Sequence, residues 1–207
     1  MQGDARFIGA TPSYVIWNLV QRYTKEDALI VDPFCGSGTT LDVAKDSKRR
    51  GRGFDLSPQR ADIERADARK LPLENNSVDL VFMDPPYGDH IKYSDDKDCI
   101  GKLSAYDPAY YKAMHKVVRE SARVLKPGGR LCASVWIDPE QNPWTTIAMQ
   151  AIASEVELAP ADPDRPNMYR CAAPGYLSDV YAATGLADID EWEVGVELVT
   201  QSAEEYC

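Results

Sequence analysis

Two short stretches carry residues whose types and spacing could do chemistry. The first is Asp32-Pro33-Phe34-Cys35-Gly36-Ser37-Gly38-Thr39-Thr40, which follows the apolar run Leu29, Ile30 and Val31. That run is too short for a helix and suits a buried parallel strand. Asp32-Pro33 stops it, Gly36 and Gly38 allow a tight turn with close approach of backbone to a ligand, and Thr39 and Thr40 are placed to cap a following helix. Strand, glycine turn and helix N-terminus together make a site for a negatively charged or polar group. The second stretch is Asp84-Pro85-Pro86-Tyr87, which follows the apolar residues 77–83. It offers a carboxylate, a backbone carbonyl whose direction proline restricts, and a flat aromatic face. Between the two, Asp55 closes a second candidate strand 17 positions beyond Gly38.

The turn is not a phosphate loop, because no lysine follows either glycine, and it is not a dinucleotide fingerprint, because Leu41 stands where a third glycine is expected. A glycine turn without a ligand stays open on spacing alone. Residues 32–40 and 84–87, however, resemble the two motifs of the amino-methyltransferases that act on DNA and RNA bases, and the likeness runs over about residues 6–136. The resemblance implies S-adenosyl-L-methionine (SAM) as cofactor. It also places a proline-led helix that includes Thr11 and Pro12 over the methionine end. Around the rest of the cofactor it sets Asp32, Pro33, Phe34, Cys35, Gly36, Ser37, Gly38, Thr39 and Thr40. By the same likeness Asp55 with Leu56 lies at the ribose hydroxyls, Asp67 with Ala68 lies by the adenine ring, and Asp84, Pro85, Pro86 and Tyr87 form the catalytic motif. No metal is expected.

A base amine is a poor nucleophile because its lone pair is delocalised into the ring. Methyl transfer needs that nitrogen turned towards sp³ with the lone pair aimed at the methyl carbon. The Asp84 carboxylate and the Pro85 carbonyl are the natural pair of acceptors for its two N–H groups. Tyr87 supplies a face for a base taken out of its stack. By the same resemblance, aspartate at position 84, where cytosine-N4 enzymes often carry serine, leans the target towards adenine N6 or guanine N2. His90, three residues after the motif, is a weaker candidate for substrate contact, and His115 is read as structural.

The elements that must position these groups follow from patterning. A doubly wound, mostly parallel α/β sheet is expected, of the Rossmann-like class I SAM-methyltransferase kind that the resemblance implies. Its parallel strands fall near 28–32, 51–55, 62–66, 78–83 and 130–136. Helices are expected from Ser13 onwards, over about 39–48, over 107–126, from Asn142 to about 153, and over 176–184. Only a short connection separates Asp55 from the third strand, so no full helix fits there. Residues 88–106 read as a functional loop, 158–174 as a proline-rich loop, and 188–199 as a sixth strand.

At 207 residues one domain is expected: cofactor and catalytic motifs over 1–136 and a divergent acidic tail over 137–207. The five cysteines are widely spaced without a Cys-x-x-Cys pair, as suits reduced thiols in a cytoplasm, and no apolar run approaches a membrane span. The net charge of −10 argues against nucleic-acid binding by the whole surface. Residues 1–130 nevertheless carry net +2 and residues 131–207 net −12, so a polyanion should meet the first part. Lys45, Lys48, Arg49, Arg50 and Arg52 could touch phosphates or be a solvated helix end. Beyond Leu131, the segments 134–136, 142–144, 174–177, 185–189 and 202–206 resemble the tail of small-molecule SAM methyltransferases, quinone-biosynthesis enzymes among them. An antiparallel seventh strand is replaced by this tail or missing, and no target-recognition domain stands out. A nucleobase N-methyltransferase, with nucleic acid and a target-recognition subunit as partners, is therefore the leading expectation. A small-molecule methyltransferase and an inactive SAM-fold subunit are the alternatives.

Overall fold

The computed structural model describes residues 3, 11–86, 89, 92–104, 107–128, 137–157, 169, 172–183, 188–191 and 193. The chain forms two compact units, Met1–Cys132 and Ala133–Cys207. In the first, four parallel strands pair in the order β3-β2-β1-β4: β1 is Leu29–Asp32, β2 Arg50–Asp55, β3 Ile63–Arg65 and β4 Leu80–Val81. The strand that carries the glycine turn at its end is thus interior, with β2 on one side and β4 on the other. The chain reverses its direction of winding there, and open α/β sheets bind ligands at such a point.

Both faces of the sheet are covered by helices, and β1 shows why. Ile30 packs on one side with Ile16 and Val20 of α1 (Ser13–Tyr23) and Val43 and Ala44 of α2 (Thr39–Asp46). Val31, its neighbour in the strand, points the other way. It packs with Phe54, Val78 and Val124, the last from α3 (Pro108–Val124). A strand buried on both faces needs the unbroken apolar run seen in the sequence. The fold is therefore the doubly wound, Rossmann-like sheet that patterning predicts.

The expected boundaries move by a few residues at most strands. The fourth strand is shorter than 78–83: only Leu80 and Val81 pair regularly with β1, although the Phe82 amide still donates to the Val31 carbonyl at 2.9 Å and Val78 bridges Leu125. No helix joins β2 to β3; turns and bends over 56–62 make the connection. The expected fifth strand over 130–136 lies outside the described residues, as does most of the loop 158–174. Of the expected strand 188–199, residues 188–191 and 193 are described and none is in a strand.

The second unit contains a 3₁₀ turn at Pro139–Gln141 and two helices, α4 (Pro143–Glu155) and α5 (Tyr176–Ala183). Buried Asn142 joins the turn to α4 by donating from Nδ2 to the carbonyls of Ile137 and Asp138. The Glu191 carboxylate accepts from the Gly175 amide and the Ser178 hydroxyl, both at 3.0 Å, at the start of α5.

Among the described residues Phe54 is the largest fully buried side chain, and it packs in the cluster on the sheet face that α3 covers. Phe54→Ala should lower the unfolding free energy by about 3–5 kcal/mol in urea titration. A change below about 1 kcal/mol would mean that this face does not carry the core.

Candidate active site

A cavity opens at the C-terminal ends of β1, β2 and β4, and residues from both sequence motifs line it. Thr11, Asp32, Pro33, Phe34, Cys35, Gly36, Ser37, Thr39, Thr40, Asp55, Leu56, Asp67, Ala68, Asp84 and Pro86 all face it. Pro12, Gly38 and Pro85 are described but do not line it, and Tyr87 and His90 lie outside the described residues.

The turn is held by three charged side chains. Asp32, at the end of β1, is 4% exposed; it accepts from the Phe34 amide at 2.9 Å and the Thr40 hydroxyl at 2.5 Å. Asp55, at the end of β2, accepts from the Gly36 amide at 3.0 Å and the Ser57 amide at 2.8 Å. Arg60, from the 56–62 connection, lies over Gly38. Its Nη1 donates to the carbonyls of Ser37 and Gly38 at 3.2 and 3.3 Å, and its guanidinium pairs with both Asp42 oxygens and with Asp62. Gly36 and Gly38 have φ of 48° and 84°, the left-handed region that favours glycine. At Gly38 a Cβ would also meet Arg60, and at Gly53 it would overlap the Cys35 sulfur.

Two expectations are corrected here. Thr39 and Thr40 do not cap α2: Gly38 is the N-cap residue, without a side-chain bond, and both threonines lie in the first helical turn. The left-handed glycine carries the chain into the helix one residue earlier. Thr40 is thereby free to donate to Asp32, and the Thr39 hydroxyl lies 3.3 Å from that of Ser37. His115, read as structural, is exposed on α3.

Thr11, which also lines the cavity, donates its hydroxyl to Oδ2 of Asp84. A residue two positions before α1 thus orients the carboxylate that follows β4. Pro86 is held as well: Tyr110 of α3 donates its hydroxyl to the Pro86 carbonyl at 2.9 Å. Asp67 is clasped by Arg69 through both carboxylate oxygens, at 2.6–3.0 Å, and Arg69 also reaches the Asp98 carbonyl at 3.0 Å.

Several lining residues have no counterpart among the sequence candidates. Ile16, Ser57, Gln59, Ala66, Phe82, Tyr93, Ser94, Cys99 and Ile100 complete the wall. The segment 92–104 is brought there by Ser94, whose hydroxyl lies 2.8 Å from that of Ser57, and by Asp96, which pairs with Arg65 at 2.9 Å. The polarity and glycine content of 88–106 marked a functional loop; which of its residues face the cavity had no sequence signal.

The cavity is electrostatically unusual. Burial pushes the Asp32 carboxyl up to about 7, against the lowering effect of its bonds from Thr40 and Phe34, and the Asp84 and Asp55 carboxylates push it the same way. Burial likewise holds the Cys35 thiol far above its usual range, so it is an inert lining group rather than a nucleophile. For Asp67, burial would raise the carboxyl, but the Arg69 bonds hold it below the usual range. Among the described residues no group of three or more His, Cys, Asp or Glu is placed to hold a metal.

The raised Asp32 value makes a stability prediction. A folded value of about 7 stands above an unfolded one near 3.8. Its contribution is therefore fully present below the unfolded value and is lost as pH rises through about 7. Thermal melts of the wild type and Asp32→Asn between about pH 5 and pH 8 should show the wild type losing stability relative to the variant as pH rises. A difference that does not change with pH would return Asp32 to an ordinary carboxyl.

Comparison with known proteins gives the same two resemblances. The DNA methylase family matches residues 3–65, a stretch that reaches from before α1 to the end of β3 and stops short of Asp84. The Type II methyltransferase M2.DpnII of Streptococcus pneumoniae is 39% identical over 66 residues, 32% of this chain and 24% of that protein. A mitochondrial 2-methoxy-6-polyprenyl-1,4-benzoquinol methylase of Caenorhabditis elegans is 36% identical over 91 residues, 44% of this chain and 24% of that protein. The matches thus span about a quarter of the length of these curated relatives. Among solved structures, a SAM-dependent methyltransferase of Methanosarcina mazei is 24% identical, covering 53% of this chain and 52% of that one, with a TM-score of 0.36, too loose a likeness to bear on function. On a Rossmann-like parallel sheet the chain is therefore similar to the DNA methylase family over residues 3–65 and, over 91 residues, to a benzoquinol methylase.

Proposed function

We propose that this chain is a SAM-dependent N-methyltransferase that transfers a methyl group to the exocyclic amine of a nucleobase in DNA or RNA. The observation that carries this reading is that Asp84 and the glycine turn, far apart in sequence, line one cavity at the strand ends. The matched family and the pneumococcal relative support the nucleobase as acceptor. This reading takes residues 1–207 as one methyltransferase domain with a divergent tail, in a cytoplasm where Cys35 and Cys99 stay reduced. A target-recognition subunit is the partner that would add sequence specificity. Among the described residues no helix is long and apolar enough to cross a membrane.

The residues fit SAM by their chemistry. The buried Asp32 carboxylate, costly to ionise alone, is suited to a cationic ligand, and the Asp55 carboxylate has acceptor capacity for ribose hydroxyls beyond the two amides it already binds. Leu56, Ala66 and Ala68 offer apolar surface for the adenine ring. When bound, SAM supplies an electrophilic methyl group on a sulfonium. The chain's part is to hold the acceptor amine. The Asp84 carboxylate, oriented by Thr11, would accept one of its N–H groups, and the carbonyl of Pro85, a residue that borders the lining residues Asp84 and Pro86 without lining the cavity itself, would accept the other, which directs the lone pair towards the methyl carbon. The same carboxylate stabilises the cationic nitrogen until a proton leaves to solvent. Tyr87 would stack on the target base.

A small-molecule acceptor is the second reading, favoured by the nematode benzoquinol methylase and the acidic tail. Labelled methyl transfer from SAM to DNA, tRNA and small-molecule extracts, run side by side, separates the two. With the accepted substrate, Asp84→Asn keeps the shape but removes the charge, so turnover should fall by about a hundred- to a thousand-fold with SAM affinity nearly unchanged. Full turnover would refute the mechanism. Asp55→Ala should weaken SAM binding by about 1.5–3 kcal/mol in calorimetry, the worth of hydrogen bonds to a charged group. Unchanged affinity would remove Asp55 from the cofactor site.

A further inference from the structure

Helix α3 has an exposed face that none of the roles above uses. Ala113, Val117, Ser121 and Val124 are buried against the sheet, whereas Tyr111, Lys112, His115, Lys116 and Arg119 are exposed. At 100° per residue the exposed five fall within one arc, with the three cations adjacent to each other and Tyr111 and His115 beside them. From Lys112 to Arg119 the helix rises about 10 Å. The helix has a single acid, Glu120, and it is turned away: its carboxylate accepts from the Leu71 amide and pairs with Arg123.

The other basic run behaves differently. Arg49 donates to the carbonyls of Thr24 and Ser47, Arg50 to that of Asp27, Arg52 pairs with Glu64, and Lys48 with Glu26. These four cations are thus engaged within the fold, Lys48 only through an exposed pair. Among the described residues, Lys112, Lys116 and Arg119 have no ion-pair partner. They form a basic strip on a chain whose net charge is −10.

The helix that carries the strip packs, on its buried side, against the cavity residues Ala68 and Ile100. Tyr110, the strip's neighbour on the helix, binds the Pro86 carbonyl, and the Tyr111 ring meets the Tyr110 ring edge-on at 5.5 Å. Lys116 is close enough to Asp67, a cavity residue, to lower its carboxyl. We propose that this face of α3 binds the phosphate backbone of the nucleic acid next to the target base, with Lys112, Lys116 and Arg119 on phosphates and Tyr111 and His115 against the sugars and neighbouring bases. The assignment rests on the nucleobase reading above and adds what that reading lacks, a positive surface for a polyanion beside a cavity lined with carboxylates. Phosphate contacts of this kind fix position without reading sequence.

The test is the triple variant Lys112→Gln, Lys116→Gln, Arg119→Gln, with binding to a duplex oligonucleotide and to tRNA followed across a salt series and SAM binding followed by calorimetry. Losing three phosphate contacts should reduce the slope of log affinity against log salt by about 2–3 units, and affinity at low salt should fall at least about ten-fold. SAM affinity should stay within about two-fold, because the changes are confined to solvent-exposed positions. A variant that binds nucleic acid with the wild-type slope overturns the inference and leaves the nucleobase reading intact. A wild type that methylates a small amine and neither binds nor methylates nucleic acid overturns both. If the triple variant also loses SAM binding, Lys112→Gln alone decides, with a slope reduced by about one unit expected and an unchanged slope overturning the assignment.

Discussion

The buried carboxylate of Asp32 is the interaction on which the candidate site depends. It ends β1, and its two oxygens collect the Phe34 amide and the Thr40 hydroxyl, so the strand, the turn and the first turn of α2 close on one side chain. A carboxylate so placed is expensive to ionise, as its raised value shows. An apolar residue there would avoid that cost and would leave the Phe34 amide and the Thr40 hydroxyl without this acceptor. The arrangement therefore exchanges stability for a polar group at the base of the cavity.

Around that anchor the turn is braced from outside. Asp55 reaches from β2 to the Gly36 amide, and Arg60 covers the carbonyls of Ser37 and Gly38 while binding Asp42 of α2. These bonds add to those the turn makes locally, where the Gly38 amide donates to the Cys35 carbonyl at 2.8 Å and the Gly38 carbonyl accepts from the Asp42 amide at 3.1 Å. Because Arg60 comes from the short connection that replaces a β2–β3 helix, the shortening of that crossover and the rigidity of the turn are one structural fact. The turn can accept a ligand without being rebuilt around it, which lowers the ordering cost of binding.

The opposite wall is built by longer reaches. Thr11 holds Asp84, Tyr110 holds Pro86, and the 92–104 segment is fastened to the ends of β2 and β3 by Ser57, Arg65 and Arg69. The Arg65–Asp96 bond is made by an arginine that is 71% exposed, and exposed ion pairs contribute little. The wall is accordingly held most firmly near Pro86, where the packing of Ile100 with Ala113 and Val117 adds apolar burial.

The sequence by itself determined the parallel sheet and most of the candidate site. The apolar run at 29–31 can be buried only as an inner strand, glycines at 36 and 38 permit one kind of turn, Asp32 and Asp55 each end a strand and Asp84 follows one within three residues, so period and turn chemistry placed them without knowledge of the packing. These are local constraints, written within a few residues of the group they position. Tertiary structure decided what depends on residues distant in sequence. It assigned Thr11 to Asp84 and Thr40 to Asp32, put Arg60 over the turn, and brought Tyr93, Cys99 and Ile100 to the cavity. It also left His115 exposed beside three cations while engaging the arginines that follow α2 with backbone carbonyls and, for Arg52, with Glu64. A serine, an arginine or a histidine carries no periodic signal of its own. Its partner is chosen by which strand ends and helix faces the fold brings together, and only the folded chain contains that information.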